Sequence, residues 1–120
     1  MSRDPRKLRV FHLADDLIID VYRATKAFPT EERYGMQAQL RRASLSAASN
    51  IVEGCARKTT RDYLNFLNVA TGSAAEARYL VDVSSRLDFL PGETRKDLDL
   101  RYTELLKGLQ KLIQSLESQP

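Results

Sequence analysis

Clustered basic side chains are the groups in this chain best suited to chemistry, and that chemistry is the binding of phosphate groups. Residues 33–61 carry six basic groups against one acidic group, Glu53, whereas residues 11–32 carry a net charge of −3. Such clustering attracts nucleic acid electrostatically, although a solvated basic face gives the same pattern. The candidate nucleic-acid-binding residues are Arg41, Arg42, Arg57, Lys58 and Arg61. A flexible supplement in and beside a basic tail, residues 1–7, consists of Arg3, Arg6, Lys7 and Arg9.

A catalytic or metal site finds little support in the residue types. His12 is the only histidine, and no cysteine or second histidine stands near it, which argues against a metal centre. Five residues separate Arg6 from His12, a spacing similar to the Arg-x(4–6)-His motif of helical ribonucleases, but Arg6 falls in the tail rather than on a late helix. We therefore expect a protein that is not an enzyme, with no catalytic residue, metal, cofactor or small-molecule substrate.

Two carboxylates among small residues, Glu53 and Glu76, indicate a polar network between helices rather than a di-iron site. A carboxylate-bridged metal site in a bundle core needs Glu-x-x-His motifs, and the sequence contains none. Burying an unpaired charge is costly, so we expect Glu53 to pair with Arg42 or Arg57. The predicted network, which would fix helix register and assembly specificity, consists of Ser46, Asn50, Glu53, Ser73 and Glu76.

The only cysteine, Cys55, excludes an intrachain disulfide and a cysteine-based metal cluster, and it suits a reducing cytoplasm. Its neighbours Arg57 and Lys58 are able to lower the pKa of its thiol, although a small residue near a helix end is the plainer interpretation. The sequence has neither a signal-like N-terminal apolar run nor an uninterrupted apolar stretch of about 18 residues. We therefore expect a cytoplasmic protein with no membrane partner.

Four helices, predicted from apolar periodicity and from start and stop signals, must position these residues. Pro29 ends the first helix, and Gly54 is the expected C-terminal cap of the second, because glycine tolerates the left-handed conformation. Thr59 and Asp62 match the Ser/Thr-x-x-Asp/Glu start signal of the third, and Pro91 helps to start the fourth. The predicted helices span residues 8–28, 36–53, 60–89 and 93–118.

Apolar residues on more than one face of the second helix predict contacts beyond a single bundle. One stripe includes Leu40 and Ile51, and a separate stripe includes Leu45 and Val52. Gly72 in the third helix costs about 1 kcal/mol relative to alanine, which suggests that another helix approaches closely. With short connections and no strand pattern, the sequence predicts an all-α fold. It is a single domain, residues 1–120, that forms an antiparallel up-down-up-down four-helix bundle and assembles with copies of itself.

An ordered set of motifs between Phe28 and Tyr79 is similar to that of a known family. It comprises Phe28-Pro29, Glu32, Tyr34-Gly35, Gln39-Leu40-Arg41-Arg42-Ala43, Ser46, Ser49-Asn50-Ile51, Glu53-Gly54, Arg57, Phe66-Leu67, Ala70, Gly72-Ser73, Glu76 and Tyr79. Over about residues 8–115 the chain resembles the bacterial four-helix-bundle proteins encoded in intervening sequences of 23S ribosomal RNA genes, which are often labelled ribosomal proteins. The residues that depart from the family's usual pattern are Ala47-Ala48, Val52 and Cys55.

The resemblance implies a homopentamer of four-helix bundles with a positively charged surface and no known catalytic activity. Related accessory proteins of diversity-generating retroelements form pentameric barrels that bind nucleic acid and a reverse transcriptase. We therefore expect a non-enzymatic oligomer whose partners are copies of itself and nucleic acid, with structured RNA favoured. The alternative is an oligomeric scaffold or accessory subunit that docks a protein partner without binding nucleic acid directly. A ribonuclease built on Arg6 and His12 is the third hypothesis.

Overall fold

Four α-helices account for most of the chain in the computed structural model, which describes residues 3–119. They are α1 (Arg9–Thr25), α2 (Met36–Cys55), α3 (Thr60–Arg86) and α4 (Gly92–Glu117). Short 3-10 turns at Pro5–Lys7 and Thr30–Glu32 precede α1 and α2. Residues 3–119 contain no strand, which confirms the all-α prediction. The observed helix ends differ from the predicted ones by at most three residues.

The contacts between neighbouring helices show that they are antiparallel: later residues of one helix meet earlier residues of the next. Ser46 of α2 meets Ser73 of α3, and about two turns further along α2, Gly54 lies against Tyr63. Ion pairs that tie α4 to α1 and α3 follow the same order: Arg9–Glu104, Asp20–Arg101, Arg78–Asp99 and Asp82–Arg95. Since α1 packs against both α2 and α4, the four helices enclose one core.

The core consists of apolar side chains that recur every three or four residues, so one face of each helix is buried. On α4 these side chains are Leu98, Tyr102, Leu105 and Leu109, each at most 1% exposed. The buried positions of α2 and α3 are often alanine, and such small side chains allow two helices to approach closely. Within the described part of the chain, no helix has an apolar run long enough to cross a bilayer.

Gly54 is not the C-terminal cap that the sequence predicts. Helix α2 continues through Cys55, and none of the glycines among residues 3–119 has a positive φ. Gly54 is buried where α2 meets α3, and a Cβ atom there would lie 3.0 Å from both the Cβ of Phe66 and the Cδ1 of Tyr63. The glycine therefore serves close helix packing rather than helix termination.

A left-handed residue does end α3, but it is an aspartate. Asp88 has a φ of 63°, and the N–H of Phe89 donates to the carbonyl of Ser84 at 2.8 Å. This six-to-one hydrogen bond is the Schellman arrangement, which satisfies a carbonyl that the end of a helix would otherwise leave unpaired. The helix therefore stops at Arg86, three residues before the predicted end.

Two tyrosines, Tyr63 and Tyr102, carry their hydroxyl groups into the core, and each is 1% exposed. The Tyr102 hydroxyl has no hydrogen-bond partner within residues 3–119. Burial, reinforced by the neighbouring Cys55 thiol, raises the pKa of Tyr63 to about 12, and burial raises the pKa of Tyr102 as well. The fold therefore holds both phenols in the neutral form.

The free energy of unfolding is expected to fall steeply between about pH 10 and about pH 12. Unfolded tyrosines lose their protons near pH 10, whereas Tyr63 in the folded protein keeps its proton until about pH 12. The unfolded state therefore binds fewer protons in this window, and each buried tyrosine lowers stability by about 1.4 kcal/mol per pH unit. Urea denaturation across the window measures this slope. Tyr102→Phe should reduce it, whereas Tyr79→Phe, at a 61% exposed position, should not, and equal slopes for all three proteins would contradict the assignment.

Candidate nucleic-acid interface

The five basic residues predicted to bind nucleic acid do not form one surface, because α2 divides them into two groups. Arg41 and Arg42 lie in the second turn of α2, whereas the others lie beyond its C-terminus and in the first turn of α3. About 15 residues at about 1.5 Å per residue place the two groups roughly 20 Å apart. We call the second group the basic end; it consists of Arg57, Lys58 and Arg61.

The basic end presents three exposed cations at the turn between α2 and α3. The Arg57 Cζ lies 4.5 Å from the centre of the Phe66 ring, a cation–π contact that orients this side chain. No carboxylate of residues 3–119 lies within ion-pairing distance of the three cations. The turn itself is held by Thr59, whose hydroxyl accepts the N–H of Asp62 at 3.1 Å, as the predicted start signal requires. The group is therefore well placed to bind phosphate.

Of the four N-terminal basic residues predicted as a flexible supplement, Arg3 and Arg9 contact the helices. The backbone N–H of Arg3 donates to the carbonyl of Cys55 at 2.8 Å, and its Cζ lies 4.1 Å from the centre of the Tyr63 ring. Arg6 forms an ion pair with Asp4, and Arg9 forms one with Glu104. Lys7 is exposed. Residues 1 and 2 of the predicted tail lie outside the described residues.

An open depression of about 310 Å³ lies between the end of α1 and the start of α2. We call it the arginine–tyrosine cleft after its charged and aromatic lining, Tyr22, Arg33, Tyr34, Arg41 and Arg42. The Nε of Arg41 donates to the hydroxyl of buried Thr25 at 2.8 Å, and its Nη2 donates to the carbonyl of Tyr22 at 3.2 Å. The Arg41 Cζ also lies 4.4 Å from the centre of the Tyr22 ring. These contacts fix the guanidinium while occupying two of its five N–H groups.

The rim of the cleft is more exposed than its interior. Tyr34 is 86% exposed, and the Arg33 Cζ lies 5.6 Å from the centre of its ring. Arg42 is exposed, and its Nη2 donates to the side-chain oxygen of Gln39 at 2.8 Å. None of the cleft's three arginines is ion-paired with a carboxylate of the described chain. The cleft therefore concentrates positive charge beside two aromatic rings.

Ser46, Asn50 and Ser73, three of the five residues predicted to form a polar network, are hydrogen-bonded where α2 meets α3. The hydroxyls of Ser46 and Ser73 lie 2.8 Å apart, and the Asn50 side-chain amide donates to the carbonyl and hydroxyl oxygens of Ser46 at 2.8 and 3.1 Å. Glu76 makes a separate contact between the same helices, accepting a hydrogen bond from Gln39 at 2.6 Å. The Ser46–Ser73 and Gln39–Glu76 contacts link α2 to α3, whereas the Asn50 bonds lie within α2.

Glu53 does not pair with Arg42 or Arg57, contrary to the expectation from sequence. Glu53 is exposed, so water solvates its carboxylate and no ion-pair partner is required. Arg42 donates instead to Gln39, and Arg57 lies over the Phe66 ring. The charge of Glu53 is therefore directed outward rather than used between α2 and α3.

His12 is an exposed residue of α1, and Cys55 is a buried residue at the end of α2, the plainer interpretation of the sequence. The Nε2 of His12 lies 2.6 Å from the backbone oxygen of Arg6, so these residues meet through the Arg6 backbone while its guanidinium is ion-paired elsewhere. Burial raises the pKa of the Cys55 thiol, so the lowering considered from Arg57 and Lys58 does not occur. Within residues 3–119, no three His, Cys, Asp or Glu side chains are grouped to hold a metal ion.

Exposed apolar residues lie along the solvent side of α2 and α3. This outer face consists of Leu45, Val52, Val69, Gly72 and Tyr79. A Cβ atom built at Gly72 would have no neighbour within 4 Å, so packing among the described residues does not account for a glycine in mid-helix. The outer face therefore exposes four apolar side chains to solvent.

The fold defines an all-α protein of four packed helices. Two separate surfaces of it display arginines that have no ion-pair partner among the described residues. The chain belongs to the 23S rRNA-intervening sequence protein family, whose model matches residues 6–111, and the resemblance seen in the sequence is confirmed. A similar solved structure is that of a protein with unknown function from the S23 ribosomal protein family of Bacteroides thetaiotaomicron. It is 24% identical, with a TM-score of 0.81, and the match covers 88% of this chain and 95% of that one, which supports the fold alone. No curated protein matches the chain.

Proposed function

We propose that this protein is a cytoplasmic, non-enzymatic oligomer that binds nucleic acid, structured RNA in particular, through its basic surfaces. The proposal is carried by one observation: the arginines that form ion pairs with carboxylates and those that do not lie in different parts of the chain. Ion pairs within the described chain engage Arg6, Arg9, Arg23, Arg78, Arg86, Arg95 and Arg101. Every arginine from Arg33 to Arg61 lacks a carboxylate partner there, so this segment retains its charge for an anionic ligand.

The outer face supports self-association as the second part of the proposal. Val52 is 42% exposed, Val69 is 52% exposed and Tyr79 is 61% exposed, although burying such side chains is favourable. The open space at Gly72 would admit a helix of a second copy at close range. We propose that copies of this chain cover the outer face, in a homopentamer as the family resemblance implies.

Nucleic-acid binding is tested by fluorescence anisotropy of the purified protein with a structured RNA and a duplex DNA over a salt series. The expected result is tighter binding to the RNA, with an affinity that falls log-linearly as salt rises. Reversal of the basic end, Arg57→Glu/Lys58→Glu/Arg61→Glu, should weaken binding by at least about tenfold. It should also reduce the salt slope by up to about 0.9 for each phosphate that the variant no longer neutralises.

A matched control makes the same change in charge on another surface. Lys96→Glu/Lys107→Glu/Lys111→Glu alters three exposed lysines of α4 and should weaken binding much less than reversal of the basic end. Equal losses in both variants would show attraction by net charge alone and would contradict a working surface at the basic end. Absence of binding at low salt would contradict the proposed function itself.

A protein scaffold is the second candidate function, and an apolar depression between α1 and α2 favours it. The depression measures about 410 Å³ and is bordered by Ile18, Ile19 and Leu45, of which Ile19 is 50% exposed. An apolar hollow suits a protein side chain better than a phosphate group. Stable co-purification of a protein partner that is abolished by Ile19→Glu, together with no RNA binding, would favour the scaffold.

A further inference from the structure

We propose that the arginine–tyrosine cleft binds an unpaired nucleotide of an RNA strand, with the base stacked on Tyr34 and the phosphate contacted by Arg33 and Arg42. This inference rests on the proposed nucleic-acid-binding function and assigns a distinct task to the cleft. The basic end would attract any phosphate backbone, whereas the cleft would select strands whose bases are free to leave a stack.

The exposed ring of Tyr34 is the first observation that carries the proposal. A tyrosine ring that is 86% exposed contributes little to folding, and the contact made by its ring is with the Arg33 guanidinium at 5.6 Å. Unpaired bases stack on aromatic rings and on guanidinium planes, and each stacked base contributes enough affinity for its removal to be measured. Tyr34 therefore offers such a platform at the mouth of the cleft, with the Arg33 guanidinium beside its ring.

The fixed charge behind this platform is the second observation. Arg41 is held by Thr25 and by Tyr22, so its guanidinium lines the cleft in one position without loss of rotamer freedom on binding. No carboxylate forms an ion pair with Arg33, Arg41 or Arg42 among the described residues, so none of the three guanidinium groups is already bound to an acidic side chain there. An anion entering the cleft would therefore meet an organised site.

The combination of ring and charge favours a nucleotide over an acidic peptide or a duplex. An acidic peptide would use the guanidinium groups but has no planar face for Tyr34, and a duplex keeps its bases stacked inside the helix. The depression of about 310 Å³ is at the small end of the range for ligand pockets, which suits one nucleotide rather than a helical groove. A free mononucleotide shares this chemistry, so the experiment must separate the two sources.

The test measures anisotropy with a short labelled oligouridylate and with an RNA duplex of the same length. Tyr34→Ala should weaken oligouridylate binding by at least about fivefold and duplex binding by less than about twofold, whereas Tyr34→Phe should bind like the parent. Since Tyr34 is exposed, these variants are expected to fold, and circular dichroism checks this. Arg42→Gln should weaken oligouridylate binding more than Arg86→Gln, which removes the same charge from an exposed arginine outside the cleft. Photo-crosslinking of a 4-thiouridine oligonucleotide should label residues 33–42.

The outcomes separate this inference from the proposed function. If the parent binds neither RNA at low salt, the proposed function fails. If the parent binds oligouridylate and Tyr34→Ala binds it equally well, the cleft inference is overturned while the proposed function stands. An equal loss for the duplex would also overturn it, since the cleft would then act as a general phosphate site. If uridine monophosphate bound as tightly as the oligonucleotide, the ligand of the cleft would be a free nucleotide rather than an RNA strand. If polyglutamate displaced the RNA at equal concentration, the ligand would be an acidic peptide.

Discussion

Gly54→Ala is expected to lower the free energy of unfolding by about 1–3 kcal/mol, although alanine is favoured over glycine in a helix interior by about 1 kcal/mol. A Cβ atom at this position would lie 3.0 Å from the Cβ of Phe66, 3.0 Å from the Cδ1 of Tyr63 and 3.4 Å from the Tyr63 backbone oxygen. A side-chain Cβ and a backbone oxygen move only with their helix, so α3 would have to shift away from α2. Urea denaturation of the parent and the variant measures the decrease.

Gly92→Ala provides the matched control, because a Cβ atom at Gly92 would have no neighbour within 4 Å. Its stability should stay within about 0.5 kcal/mol of the parent, as is usual for a surface substitution. If Gly54→Ala were as stable as Gly92→Ala, the close contact between α2 and α3 would be wrong. If Gly54→Ala were more stable than the parent, Gly54 would be an ordinary helical glycine with no role in close packing.

The sequence predicts the four helices well because their signals are local. The Thr59–Asp62 cap fixes the start of α3, and a leucine repeat marks the inner face of α4. Pro29 marks only the limit of α1, which ends at Thr25, three residues before the predicted end. Gly54 could not be assigned in the same way, since a glycine near a helix end serves equally well as a cap or as a point of close contact. Only the position of α3 distinguishes these two uses.

The candidate sites were only partly predictable, for a related reason. Arg41 was predicted from the local charge, but Thr25 and Tyr22, which hold it, come from the preceding helix and reach it only when α1 and α2 pack together. Arg33 and Tyr34 were not among the residues predicted to bind nucleic acid, even though Arg33 belongs to the same basic segment as Arg41. The pairing assigned to Glu53 failed because a surface carboxylate has many arginines within reach along the sequence, while the fold directs it to water.

Gly72→Gln is expected to convert the proposed assembly into monomers at micromolar concentration. The new side chain would occupy the space in which we propose that a second copy packs, and overpacking of a close contact typically costs about 1–3 kcal/mol. In a ring every interface carries the substitution, so the cost is repeated at each contact between copies. The single chain should remain folded, since glutamine has a higher helix propensity than glycine and the position is open in the single chain. Light scattering after size exclusion measures the mass, and urea denaturation checks the fold.

Gly92→Gln is the control for this experiment, because it adds the same side chain at another open glycine outside the outer face. It should keep the mass of the parent. A parent that is monomeric at micromolar concentration would contradict self-association. A Gly72→Gln variant that keeps the parent's mass would instead show that the copies meet elsewhere. In that second case Val52, Val69 and Tyr79 would remain exposed in the assembly, and an apolar surface of this kind would then favour the scaffold function, in which a different protein covers it.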